Sequence, residues 1–144
     1  MRYWDSSALV PLLVEDVHSE GARDLYLANP AVTTWWGSAI ECASALARIE
    51  RAGGLTLLRA ATAFERLRAF EASWNTVEPS ERIRDLARRL LRVHDLRAAD
   101  SLQLAAALSA SEEQPSGLEF VCFDQRLAAA AAREGFEILS SPRA

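Results

Sequence analysis

The sequence predicts an α/β protein, a single domain of three layers, α/β/α, around a central parallel sheet. Three observations predict it. Short apolar runs alternate with longer helical patterns, as expected for a parallel sheet covered on both faces. Two of those runs end on an acidic residue, Met1-Arg2-Tyr3-Trp4 at Asp5 and Phe120-Val121-Cys122-Phe123 at Asp124. No repeat or linker divides the chain, and 144 residues suffice for one domain with a real core.

In chain order, a strand at Arg2–Trp4 leads into a helix from Ser6 to Val14, and a second helix runs from His18 to Ala28, where Asn29-Pro30 stops it. Ala31–Thr34 reads as a short strand. Ser38 opens a long helix reaching Arg51, which Gly53-Gly54 ends. Leu55–Ala72 is another helix, with Leu58, Ala61, Leu67 and Phe70 among its apolar positions. These two helices interrupt the alternation, so Ser38–Ala72 is expected to project as a hairpin. Trp74–Val77 follows as a strand, Pro79-Ser80 starts the helix Glu81–Val93, and Asp95 is expected to cap the helix Leu96–Ala110. Ser111–Gly117 is the one loop-like polar stretch. Strand Leu118–Phe123, helix Gln125–Glu134, a Gly135 cap and strand Phe136–Leu139 complete the chain.

Composition narrows the function. No basic segment followed by an apolar core opens the sequence, and no apolar run approaches the ~20 residues that span a bilayer. The expectation is a cytoplasmic protein with no membrane contact. Cys42 and Cys122 are the two cysteines, without zinc-site spacing, and read as buried free thiols. The formal charge of −4 does not advertise nucleic-acid binding. All sixteen cations are Arg, and with no Lys a Walker A phosphate loop is excluded. Haloacid-dehalogenase-like and receiver-like sheets, which also begin from a strand-end Asp, usually need a lysine too. There is no Gly-x-Gly-x-x-Gly fingerprint and no Ser-His-Asp constellation; His18 and His94 read as structural or surface residues.

Four acids remain, each with two readings. Asp5 and Asp124 lie where a strand gives way to a helix, which suits an N-cap. It also suits a ligand, because open parallel sheets bind theirs beyond the carboxyl ends of the strands. Glu41 stands three residues after Ser38, the capping-box spacing. Asp100 shares its helix face with Leu96, Leu104 and Ala107 at ~100° per residue. A buried carboxylate needs an Arg partner such as Arg97, a proton or a metal ion. Several carboxylates in one pocket repel each other unless a cation sits among them. Oxygen donors suit Mg²⁺ or Mn²⁺, whose shell waters and substrate phosphates complete.

The residues around these acids resemble a PIN domain, and more narrowly a VapC-type toxin ribonuclease of a type II toxin–antitoxin system. Asp5-Ser6-Ser7-Ala8-Leu9-Val10-Pro11-Leu12 is similar to the family's first motif, and Ala39-Ile40-Glu41-Cys42-Ala43-Ser44-Ala45-Leu46 to the second. The stretch from Leu96 to Ala107, containing Asp100, resembles the third, and Phe123-Asp124-Gln125-Arg126-Leu127 the fourth. The resemblance spans essentially the whole chain, as a single PIN-like nuclease domain over residues 1–144. It implies a Mg²⁺- or Mn²⁺-dependent endoribonuclease working by metal-activated water. Asp5 and Asp100 would be the principal metal ligands and Glu41 would complete the site. Asp124 would hold a second ion or a metal-bound water. The resemblance further implies a homodimer, an RNA substrate and a cognate antitoxin that places a basic side chain near the acids. Ser7 would hold Asp5 through its hydroxyl. Where the family has Thr or Ser two residues before the fourth acid, this chain has Cys122, and Trp35-Trp36 is bulkier than usual.

On the surface, Arg82, Arg84, Arg88, Arg89 and Arg92 read either as RNA contacts or as a solvated face balanced by Glu81 and Asp85. Arg97 is the cation expected nearest the acids. Trp35 and Trp36 read as base-stacking, antitoxin-binding, dimer or core residues, and Trp4 as core. Two further functions stay open: a non-catalytic PIN-like partner-binding module, or a PIN nuclease acting in RNA maturation or on DNA.

Overall fold

The computed structural model describes residues 1–140; the last four residues of the expected domain lie outside the described residues. Five three-residue strands, β1 (Arg2–Trp4), β2 (Thr33–Trp35), β3 (Asn75–Val77), β4 (Glu119–Val121) and β5 (Glu137–Leu139), form one sheet. Its order is β3-β2-β1-β4-β5 and every pairing is parallel, with Tyr3 opposite Thr33 on one side and Phe120 on the other. The three-layer expectation holds.

Alternation along the strands builds the layers. Tyr3, Trp35 and Phe120 turn to one face, against helices α5 (Glu81–Val93), α6 (Ala98–Ala110) and α7 (Gln125–Arg133). Trp4, Val32 and Val121 turn to the other. They meet α1 (Ser6–Leu9), α2 (Ser19–Ala28), α3 (Ser38–Arg51) and α4 (Leu57–Glu71). Trp4 is fully buried, as expected.

Several boundaries differ from expectation, each for a local reason. The first helix stops at Leu9 and continues as a 3-10 turn, Val10–Leu12, because Pro11 has no N–H to donate to Ser7. Asp95 is no cap: α6 starts at Ala98 with Arg97 in the N-cap position. Ser80 does cap α5, accepting from the Ile83 N–H at 3.2 Å. The α3–α4 pair packs its base through Cys42, Leu46, Ala63 and Leu67 and leaves its turn end exposed, with Leu58 at 78 %. Gly53 (φ +82°) and Gly135 (φ +105°) take the left-handed conformation that closes α3 and α7. Among the described residues no helix is long and apolar enough to cross a membrane.

Candidate active site

Strand order reverses at the β1–β4 junction, where open α/β sheets form a ligand crevice beyond the strand ends. A cavity of about 390 Å³ lies there, and Asp5, Glu41, Asp100 and Asp124 all line it. Four segments separated by up to 119 positions (124 minus 5) contribute to it. Asp16 and Arg48 line the same cavity.

For Asp5 and Asp124, capping and facing the cavity are one arrangement rather than alternatives. Asp5 is 3 % exposed, and its Oδ2 accepts from the Ser7 backbone N–H at 3.1 Å and from the Ser7 hydroxyl. The Cys122 thiol lies 3.5 Å from the same oxygen, so Cys122 stands in the donor position of a hydroxyl, more weakly. Ser7 Oγ also accepts from the Phe123 N–H at 3.0 Å and so ties the end of β1 to the end of β4. Asp124 Oδ1 accepts from the N–H groups of Arg126 and Leu127, 3.0 and 3.1 Å away. Among the described residues, the second oxygen of each carboxylate has no hydrogen-bond donor, and both residues line the cavity.

Glu41 is not a capping residue. The N-cap of α3 is Gly37, without a side-chain cap, and Ser38 points into the core. Glu41 instead accepts from Ser6 Oγ at 3.1 Å and from Gln103 Nε2 at 2.9 Å. Asp100 occupies the first turn of α6, half-buried, and makes no ion pair with Arg97 among the described residues.

Burial is the first cause raising Asp5, Glu41 and Asp100 above their ordinary carboxyl values. For Glu41, hydrogen bonds from Gln103 and Ser6 oppose it while the charges of Asp5 and Asp100 add to it, and the result is about 7. Asp124 pushes Asp100 up as well, against the Arg97 backbone N–H and the charges of Arg97 and Arg126. The sign for stability follows. Between the ordinary value of 4.5 and about 7, Glu41 binds more protons folded than unfolded, so its contribution is lost as pH rises through that window. Asp5 and Asp100 act in the same direction. In chelator, thermal melts at about pH 5, near the lower end of that window, and about pH 7.5, above it, are expected to show a lower melting temperature at the higher pH. The fall should be smaller in Glu41→Gln; an equal fall in both proteins would remove Glu41 from the account.

The family follows from comparison with known proteins. A family model described as PIN domain matches residues 2–133. The chain belongs to the PIN domain family. Two curated relatives from Mycobacterium tuberculosis, Ribonuclease VapC45 of strain CDC 1551 / Oshkosh and Ribonuclease VapC49 of strain H37Rv, are each 32 % identical to it over 136 residues. Each alignment covers 94 % of this chain and 92 % of the relative. Among solved structures, M. tuberculosis VapC20, described as a sarcin-ricin loop cleaving toxin, superimposes with a TM-score of 0.67 at 21 % identity, covering 94 % of this chain and 96 % of that one. A toxin–antitoxin complex from Klebsiella pneumoniae gives 0.61 at 17 % identity, covering 89 % and 91 %.

Beneath the acids of this PIN domain runs a buried polar relay that the sequence reading missed. Gln103 is 0 % exposed; its Oε1 accepts from the Tyr3 hydroxyl at 2.6 Å and its Nε2 donates to Ser38 Oγ and Glu41 Oε2, both at 2.9 Å. Thr34 Oγ1 donates to the Trp4 carbonyl and meets Ser38 Oγ, both at 2.6 Å. The amide has one workable orientation, because a flip would aim its oxygen at the Glu41 carboxylate. The signal was available: a lone Gln within the apolar run of α6 faces the same burial problem as Asp100. Asp16 carried no such signal; its Oδ1 accepts from the His18 N–H at 2.7 Å in the turn before α2, whose N-cap is His18 itself.

Other expectations resolve as packing. Trp35 is core at 8 % exposure, with its indole laid over Gly37 where a Cβ would stand 2.4 Å from Nε1; only Trp36 is exposed. His94 is buried and bonds to Glu134 at 2.7 Å, and His18 stacks on Phe123 at the surface. Both cysteines are buried and free.

The donor set suits a hard divalent cation: oxygen only, in an open cavity. Among the described residues no three His, Cys, Asp or Glu side chains stand close enough together to hold a metal ion by themselves. Mg²⁺ or Mn²⁺ would need only one or two of these carboxylates, with waters filling the rest of the shell.

Proposed function

We propose that this PIN-domain protein is a divalent-metal-dependent endoribonuclease, the toxin of a type II toxin–antitoxin pair, hydrolysing RNA phosphodiester bonds. One observation carries the reading: four carboxylates from distant segments line a single open cavity at the point where the sheet changes direction. The two ribonuclease-named relatives, aligned over nearly their whole length, support it.

In this reading Asp5 and Asp100 hold Mg²⁺ or Mn²⁺, Glu41 completes the site, and Asp124 takes a second ion or orients a water. When bound, the metal supplies activation of the attacking water and neutralises charge on the phosphate. The chain's residues do the positioning. Ser7 fixes the Asp5 rotamer through Oδ2, Ser6 and Gln103 hold both Glu41 oxygens, and backbone N–H groups at the start of α7 anchor Asp124. No covalent nucleophile is required.

The test is cleavage of an end-labelled single-stranded RNA with Mg²⁺ or Mn²⁺ and with chelator, beside calorimetry of Mn²⁺ binding. Metal-dependent cutting and carboxylate-dependent binding are expected. Binding should weaken below about pH 7, because ligands must lose their protons to hold the ion. No Mn²⁺ binding would leave a non-catalytic partner module instead. Cutting of the matching DNA and not the RNA would move the reading to DNA.

The partners belong to the same proposal: a cognate antitoxin, a homodimer and a cytoplasmic location. An apolar groove lined by Leu12, Tyr26, Leu27 and Phe70, and the exposed Trp36 and Ile40, supply surface for protein partners. Co-expression with a small open reading frame found directly upstream is expected to block cleavage, and light scattering should give twice the mass of 15.8 kDa.

A further inference from the structure

The arginines of this chain divide into paired and unpaired groups, and the unpaired ones flanking the cavity acids in sequence point to how it receives a polyanion. On α5, Arg82 pairs with Glu113, Arg84 with Glu81, Arg88 with Asp85 and Arg89 with Glu134, at 2.6 to 3.1 Å. The solvated-face reading of that helix therefore stands, and it offers little free charge to RNA. Arg48, Arg97 and Arg126 are different. All three are exposed, and none makes a direct ion pair among the described residues. Each belongs to a different helix or its cap and is near a different cavity acid in sequence; of the three, Arg48 lines the cavity itself. Arg48 lines the cavity two turns beyond Glu41 on α3. Arg97 is the N-cap residue of α6, three positions before Asp100. Arg126 lies in the first turn of α7, two positions after Asp124.

An acidic floor in a protein of net charge −4 repels the strand it must cut. Local cations at the edge answer that repulsion without filling the centre. Guanidinium groups suit the task, since their planar forks bind phosphate oxygens two at a time. We propose that Arg48, Arg97 and Arg126 form a cationic rim that binds backbone phosphates of single-stranded RNA on either side of the bond presented to the carboxylates. The proposal rests on the nuclease reading and adds to it the surface that seats the substrate. The charges of Arg97 and Arg126 lower the Asp100 carboxyl, against the burial and the Asp124 charge that raise it.

The experiment measures binding of a labelled single-stranded RNA in chelator across salt concentrations, and kcat and KM for its cleavage with Mg²⁺. Each Arg→Ala change is expected to weaken binding several-fold and to reduce the log–log salt slope by about 0.7; the triple variant should lose about 2 from that slope. KM should rise while kcat at saturating RNA stays within about 3-fold, because uniform binding is what has been removed. Arg92→Ala, an unpaired cation elsewhere on α5, should change neither. A triple variant with wild-type slope and KM, in a protein that still cuts RNA, overturns the rim and leaves the nuclease reading intact. An Arg92→Ala effect as large as the others also overturns it. A wild-type protein that neither binds nor cuts RNA overturns both. Unchanged RNA binding with lost inhibition by a co-expressed partner would make the rim a protein interface and end the proposal.

Discussion

Asp100→Asn is expected to lower RNA cleavage more than about 100-fold, beyond the loss typical when a group merely supporting a metal ligand is removed. The amide keeps the volume and one oxygen but loses the charge that a cation needs. Stability should barely move. Asp100 sits in the first turn of α6, where a negative charge favours the helix by about 0.3–1 kcal/mol. Its removal also relieves repulsion from Asp124, which works in the other direction. Circular dichroism and thermal melting should therefore match the wild type while the gel assay goes silent. Cleavage at the wild-type rate by that variant would remove Asp100 from the mechanism.

Gln103→Leu is expected to damage both stability and activity, for a different reason. The substitution preserves bulk but strips partners from the Tyr3 hydroxyl and the Glu41 carboxylate, and one from Ser38, all of them buried or partly so. Orphaning a buried polar group costs about 1–3 kcal/mol each, so a total near 3 kcal/mol is the reasonable scale. For a chain of this size that lowers the melting temperature by roughly 10 °C. Cleavage measured well below the melt should fall about 10–100-fold, the range for second partners of metal ligands. Gln103→Glu supplies the contrast: its new carboxyl faces Glu41, so its activity should fall further as pH rises. Lower stability with untouched kcat would confine the relay to holding the fold together.

The strand-end acids were legible because their position follows from topology. Once helices and strands alternate, the carboxyl end of a central strand is where a ligand goes, and Asp5 and Asp124 stand there. Glu41 was legible as a family position and misleading as a local pattern. Ser38-x-x-Glu41 has capping-box spacing, yet Ser38 is already inside α3 and spends its hydroxyl on Thr34 and Gln103. That competition is tertiary, and no local window contains it. Asp95 failed for a related reason: spacing suggested a cap, but the chain runs extended through His94 and the helix starts three residues later at Ala98. Trp35 and Trp36 are adjacent and equally apolar. Where β2 ends decides that one is buried and the other exposed: the strand is covered on both faces and stops at Trp35, and Trp36 stands in the turn beyond it.

The pairing of β1 with β4 also governs when the acidic cavity can form. Arg2–Trp4 aligns with Glu119–Val121, so the fold joins two segments far apart in the chain. A chain still emerging from the ribosome carries Asp5 and Glu41 long before Asp124 exists, and β1 lacks one of its two neighbours until then. The four acids can therefore line one cavity only after the residues through Asp124 have been made and β4 has docked beside β1.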